Sequence, residues 1–71
     1  MKELKDIITM LGKKVRVIDI DNIEYIGYFL DYTIALDNEE NEWSIDIFPS
    51  KIANFGVELF ESDIKTIDVV E

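Results

Sequence analysis

Carboxylates are the chemically active side chains that this sequence has in quantity. It contains 16 Asp and Glu residues against 7 Lys and Arg, and it has neither His nor Cys. The acidic residues concentrate in the run DNEENE at 37–42 and in the triplet Glu61-Ser62-Asp63. Carboxylates can ligate a hard cation or transfer protons, whereas imidazole and thiolate chemistry is excluded.

The acidic run at 37–42 does not fit a calcium-binding loop. An EF-hand loop that began at Asp37 would need Gly at its sixth position and Glu at its twelfth, where this chain has Glu42 and Phe48. We interpret the run as a solvated loop, with incidental binding of divalent cations as the alternative.

No arrangement of residues predicts a reaction. The sequence has no Ser-His or Cys-His pair and no Gly-rich phosphate loop. A pair of acids for glycoside hydrolysis would need a cleft that a 71-residue chain can hardly form. We therefore expect no enzyme activity, no catalytic residue, no metal site and no cofactor.

The composition predicts one folded, acidic domain spanning residues 1–71. Apolar residues make up 48% of the chain, and the formal net charge is -9. Such a charge repels nucleic acid and anionic lipid. The charged stretch MKELKDIITML lacks an apolar run long enough for a signal peptide or a membrane span, so we expect a soluble, cytoplasmic protein without membrane contact.

A helix is predicted at about residues 2–11. Its apolar residues recur at helical spacing, and they are Leu4, Ile7, Ile8 and Leu11. Gly12 then offers a C-terminal stop. We expect this helix to cover an open end of the core; an exposed docking helix is the alternative.

From residue 14 the apolar period changes to two, which predicts strands. Five strand-like segments follow one another with short connections, namely KKVRVIDI, IEYIGYFLDY, WSIDIF, GVELF and IKTIDVV. Asp21-Asn22 predicts a hairpin turn, and Gly27 predicts a sharp bend in the second strand. The fold class is therefore all-β with a short N-terminal α-helix, as a five-stranded, strongly bent antiparallel small barrel over about residues 13–70.

Asp19 is the residue of the first strand that does not fit the alternation of apolar and polar side chains. It shares its parity with Val15 and Val17, so strict alternation would bury a charge. A bulge near Ile18 that turned Ile18 or Ile20 inward would resolve the conflict.

The aromatic residues divide between core and surface. Tyr25 shares the inward parity of Gly27, whereas Tyr28 and Tyr32 lie on the opposite face. Without basic neighbours, this second pair favours core, helix contact or a subunit interface over a platform for bases. Trp43 either closes the mouth of the barrel, which we favour, or stands on the surface as a protein-binding anchor.

The order of these elements resembles that of Sm-like proteins, and most of all their small uncharacterised bacterial branch. The resemblance covers about residues 12–70. It is carried by Val15 and Val17, by EYIGYFLDY around Gly27, and by VELFESDIKTIDV at the last corner. It implies the Sm-like fold for this domain.

The residues with which RNA-binding Sm proteins hold a base are mostly replaced here. Their Asp falls on Thr33, and their Asn falls on Asp37, or on Asn38 if the alignment shifts by one residue. Their Arg-Gly pair at the last corner falls on Glu61 and Ser62. Exchanging Arg for Glu turns attraction of a phosphate into repulsion.

We therefore expect a non-catalytic protein-interaction or self-assembly module, which forms a homo-oligomer through its edge strands or binds an unknown protein partner. The alternative is an RNA-binding ring that uses a different surface. An acidic decoy for a nucleic-acid-binding protein is a third possibility. The candidate interaction surface comprises Tyr28, Tyr32, Trp43, Phe60, Glu61, Ser62 and Asp63.

Overall fold

The computed structural model describes residues 3–70 and begins with a short helical segment. Helix α1 spans Leu4–Ile7 and continues as a 3₁₀ turn, Ile8–Met10. Gly12 ends the segment with a φ of 86°, in the left-handed region that favours glycine. Ile7 is buried and Leu11 is exposed, so the segment covers the core with the first part of its apolar face. Lys2, at the start of the predicted helix, lies outside the described residues.

Five antiparallel strands in one sheet make up most of the fold, as the alternating pattern predicts. Their bounds are β1 Lys14–Asp19, β2 Glu24–Thr33, β3 Ser44–Phe48, β4 Val57–Phe60 and β5 Ile64–Val69. Within residues 3–70, no helix is long and apolar enough to cross a membrane.

The strand order in the sheet is β4-β3-β2-β1-β5, which leaves β4 and β5 as its two edges. Among the described residues, β4 and β5 do not pair with each other, so the sheet is not closed by hydrogen bonds. Its inner face and α1 enclose one core, formed by Ile7, Val15, Val17, Phe29, Trp43, Ile45, Ile47, Leu59 and Ile67.

Asp19 lies inside the fold, contrary to the expectation that a bulge would turn it outward. The bulge exists, between Ile18 and Asp19 in the pairing of β1 with β5, but Ile20 is exposed. Asp19 Oδ1 accepts hydrogen bonds from the N–H groups of Asp21 and Ile23, each at 2.9 Å. Three donors, including the hydroxyl of Tyr25 at 3.1 Å, satisfy the buried carboxylate. The prediction that the bulge turns Asp19 out of the core is therefore wrong.

Strand β3 approaches β2 closely at Gly27, and the alternation of β2 shifts further along. A Cβ at Gly27 would lie 2.8 Å from Ile47 Cγ2 and against the carbonyl oxygen of Phe48, so only glycine lets β3 approach this closely. The register with β3 then shifts between Phe29 and Asp31. This shift places Tyr32 against the core, so the expectation that it shares the face of Tyr28 is wrong.

Candidate functional site

The acidic corner between β4 and β5 is a single 3₁₀ turn, Glu61–Asp63. The carboxylate of Asp63 accepts the N–H of Phe60 at 3.2 Å, and its carbonyl accepts the N–H of Ile20 at 3.0 Å. Asp63 thus stabilises the turn and ties it to the β1–β2 hairpin. The N–H of Glu61 donates to the carbonyl of Trp43 at 2.9 Å, which fixes the other side of the corner.

A chain of hydrogen bonds connects this corner to the acidic loop, and we name it the corner network. It consists of Asn38, Glu42, Ser44, Glu58 and Ser62. Glu42 Oε1 accepts the N–H of Ser62 at 2.7 Å. Asn38 Nδ2 donates to the carbonyl of Glu42 at 2.8 Å and to Ser44 Oγ at 3.0 Å. Ser44 Oγ, which is buried, donates to Glu58 Oε2 at 2.8 Å.

The corner network uses the donors that a bound base would need. Asn38 and Ser62 stand at two of the positions implied by the resemblance, and Glu42 links them. Both N–H groups of the Asn38 side chain, and the Ser62 backbone N–H, are already donated within the chain. A ligand would have to displace a carboxylate before it could accept from Ser62.

Thr33 and Asp37, two of the three remaining positions, contribute little to the corner network. Thr33 ends β2 and pairs with Ser44 across the sheet. Asp37 is exposed at the end of the 3₁₀ turn Ala35–Asp37, and its N–H donates to the carbonyl of Ile34 at 3.0 Å. Within residues 3–70, neither side chain hydrogen-bonds to the corner, so the structure joins only part of the expected site.

The aromatic members of the candidate surface do not form one surface. Trp43 is buried in the core, and Tyr32 packs against the core. Tyr28 is half-buried on the outer face, where Lys51 Nζ lies 5.4 Å from the centre of its ring. Phe60 is half-buried at the end of β4.

A second acidic feature, which the sequence pattern did not indicate, crosses the outer face of the sheet. Asp31 on β2 pairs with Asp46 on β3, and Asp46 pairs with Glu58 on β4. We name these three residues the carboxylate row. Burial raises the pKa of Asp46 above its ordinary value of 3.8, and the neighbouring charges of Glu58 and Asp31 raise it further. Strand alternation places Asp46 outward, but only the register between strands reveals the row.

The acidic side chains do not assemble a metal centre in the described part of the chain. Among residues 3–70, no group of three or more His, Cys, Asp or Glu side chains is placed to hold a metal ion. The corner and the row therefore offer negative charge and hydrogen-bond acceptors. Comparison of the chain with protein-family models, with curated proteins and with solved structures finds no match.

Proposed function

We propose that this chain is a non-catalytic, Sm-like small barrel that works through protein contacts, and first by joining to its own copies. The observation that carries the proposal is that, within residues 3–70, the strand at each side of the sheet has a neighbouring strand on one side alone. On each edge, a Val on the inner face is only partly covered. Val57 on β4 is 45% exposed, and Val69 on β5 is 39% exposed.

The inner-face position of these two valines follows from the strand register. Val57 pairs with Ile47, and Val69 pairs with Val15; both partners are buried. Each Val therefore points toward the core side, where another strand beside the edge would complete its burial. Because free strand edges also leave backbone N–H and C=O groups unpaired, an apolar edge favours pairing with another chain.

The element order and the strand order support the Sm-like assignment. The short helix, the long second strand with Gly27, the loop, and the 3₁₀ corner before β5 follow the order of the resemblance. Joining β4 of one copy to β5 of the next would use both free edges in every copy. Such a head-to-tail contact closes into a ring when the rotation between copies allows it.

Light scattering on the purified chain tests self-association. We expect a mass that is a multiple of 8.3 kDa and that holds as the protein is diluted through the micromolar range. A clean monomer at high concentration would contradict the proposal.

An RNA-binding ring with a different surface is the second candidate. The observation that favours it is Lys51 over the ring of Tyr28, since an aromatic face beside a cation can stack a base. Against it stand the net charge of -9 and the donors consumed in the corner network.

The RNA-binding candidate is tested by titrating single-stranded RNA at low salt, where the electrostatic contribution is largest. We expect no measurable binding. Salt-sensitive binding that is lost in Lys51→Ala would establish the second candidate instead.

A further inference from the structure

The carboxylate row crosses the half of the sheet that ends in free edge strand β4. Asp46 stands directly across from Asp31 on one side and from Glu58 on the other. Like charges directly opposite each other on neighbouring strands destabilise their pairing. The ion pairs found among residues 3–70 include no member of the row, so no Lys or Arg in that range neutralises it through such a pair.

Strand β4 has few other attachments. It is four residues long, buries one side chain, Leu59, and within residues 3–70 pairs only with β3. Strand β1, by contrast, is paired on both sides and buries Val15 and Val17 fully. Repulsion along the row therefore acts on a short edge strand that has less strand pairing and less side-chain burial than β1.

Protonation of Asp46 would reverse the sign of this interaction. A carboxyl group that carries a proton is neutral and has one O–H donor, while the flanking carboxylates remain acceptors. The row would then change from two repulsive contacts into a cross-strand hydrogen bond. Glu58 is already oriented on this face, since its Oε2 accepts from Ser44 Oγ at 2.8 Å.

We propose that the carboxylate row is an acid-dependent lock on strand β4, which is held loosely while all three carboxylates are ionised and tightly once Asp46 carries a proton. The groups that face Asp46 are Asp31 on β2 and Glu58 on β4. This proposal rests on the proposed function in one respect: if β4 is the joining edge, acidification prepares that edge for assembly.

Amide hydrogen exchange on a Val69→Lys chain tests the lock directly, because a charge on edge strand β5 blocks the proposed joining of copies and leaves β4 unaltered. All exchange variants are made in this monomeric background. Protection of residues 57–60 is measured between pH 7.5 and 4.5, corrected for the intrinsic exchange rate, and compared with that of β1. We expect protection of β4 to rise relative to β1 as the pH falls. At pH 7.5, Asp46→Asn is expected to raise β4 protection about 2- to 5-fold, because this is the factor that a cross-strand pair of about 0.5–1 kcal/mol gives.

Asp6→Asn is the matched control, since it removes the same charge from an exposed position on α1. It should leave β4 protection as in the Val69→Lys chain. If Asp46→Asn does not fold, Asp31→Asn provides the same test, with a smaller gain expected because Glu58 remains.

Two results would overturn the lock. One is a ratio of β4 to β1 protection that does not change with pH; the other is a gain in Asp46→Asn no larger than that in Asp6→Asn. Because exchange is measured on the monomer, its result does not depend on whether the chain assembles as the proposed function requires. If the chain never assembles but shows the pH-dependent protection, the lock is supported and the proposed assembly is contradicted.

Discussion

Asp19 shows how one buried carboxylate can organise a hairpin. Its oxygens accept from the N–H groups of Asp21 and Ile23 and from the hydroxyl of Tyr25. The hydrogen bond from Ile23 lowers the pKa of Asp19 most, burial opposes this, and the bonds from Asp21 and Tyr25 lower it further. The turn also needs Asn22 at a φ of 65°, a conformation that Asn tolerates. A charge on the core side of the strand therefore stabilises the turn.

Replacement of Asp19 tests this role. We expect Asp19→Ala to lower the melting temperature at pH 7 by several degrees, because two backbone N–H groups and a tyrosine hydroxyl lose their acceptor. Since the folded-state pKa of Asp19 lies below 3.8, the stabilisation is present above pH 3.8 and is lost as the pH falls through the lower value. Melting curves recorded from pH 7 to pH 2 would show this acid-dependent loss in the unmodified chain and not in the variant.

Asp21→Ala is the matched control for this experiment, since it removes one charge from the same turn and leaves the three hydrogen bonds to Asp19 in place. An equal loss of stability in both variants would show that general charge in the turn, and not the acceptor role of Asp19, is responsible.

At the scale of elements, alternation predicts where the strands lie but not where alternation fails. The apolar period of two identified all five strands, since it is a local property of the sequence. The register shifts at Ile18/Asp19 and at Phe29/Asp31 arise from pairing with distant strands, β5 and β3. The positions of Asp19 and Tyr32 were mispredicted for that reason. A bulge moves every later side chain to the other face.

The close approach of β3 to β2 at Gly27 gives the clearest test at this scale. At Gly27, glycine is required because β3 lies too close for a Cβ. At Gly12, glycine suits the left-handed backbone conformation, and nothing lies within 4 Å of an added Cβ. We expect Gly27→Asn to lower the free energy of unfolding by about 1–3 kcal/mol, since its Cβ would overlap β3. Gly12→Asn should cost much less, because Asn tolerates the left-handed region. Chemical denaturation of both variants measures the difference, and equal losses would contradict the role of Gly27 in this close approach.

At the scale of the whole molecule, the candidate site depends on contacts that sequence spacing does not encode. The resemblance singled out Asn38 and Ser62, but not Glu42, whose carboxylate accepts from a residue 20 positions away. The carboxylate row likewise needs the register of three strands.

The acidic corner itself is mainly structural, since the Asp63 carboxylate accepts the N–H of Phe60 and the Trp43 carbonyl accepts the N–H of Glu61. Within residues 3–70, β4 and β5 are the outer strands of the sheet, and the proposed joining of copies uses these two edges.

The central claim, that copies join through the sheet edges, is tested most directly by light scattering of two matched variants beside the unmodified chain. Val57→Lys puts a charge on the inner face of edge strand β4. Ile52→Lys makes the same exchange in the loop before β4, at a side chain that is 94% exposed. With circular dichroism verifying that each variant is folded, we predict that the unmodified chain and Ile52→Lys remain oligomeric and that Val57→Lys is a monomer. A folded Val57→Lys with an undiminished oligomeric mass would contradict joining through β4.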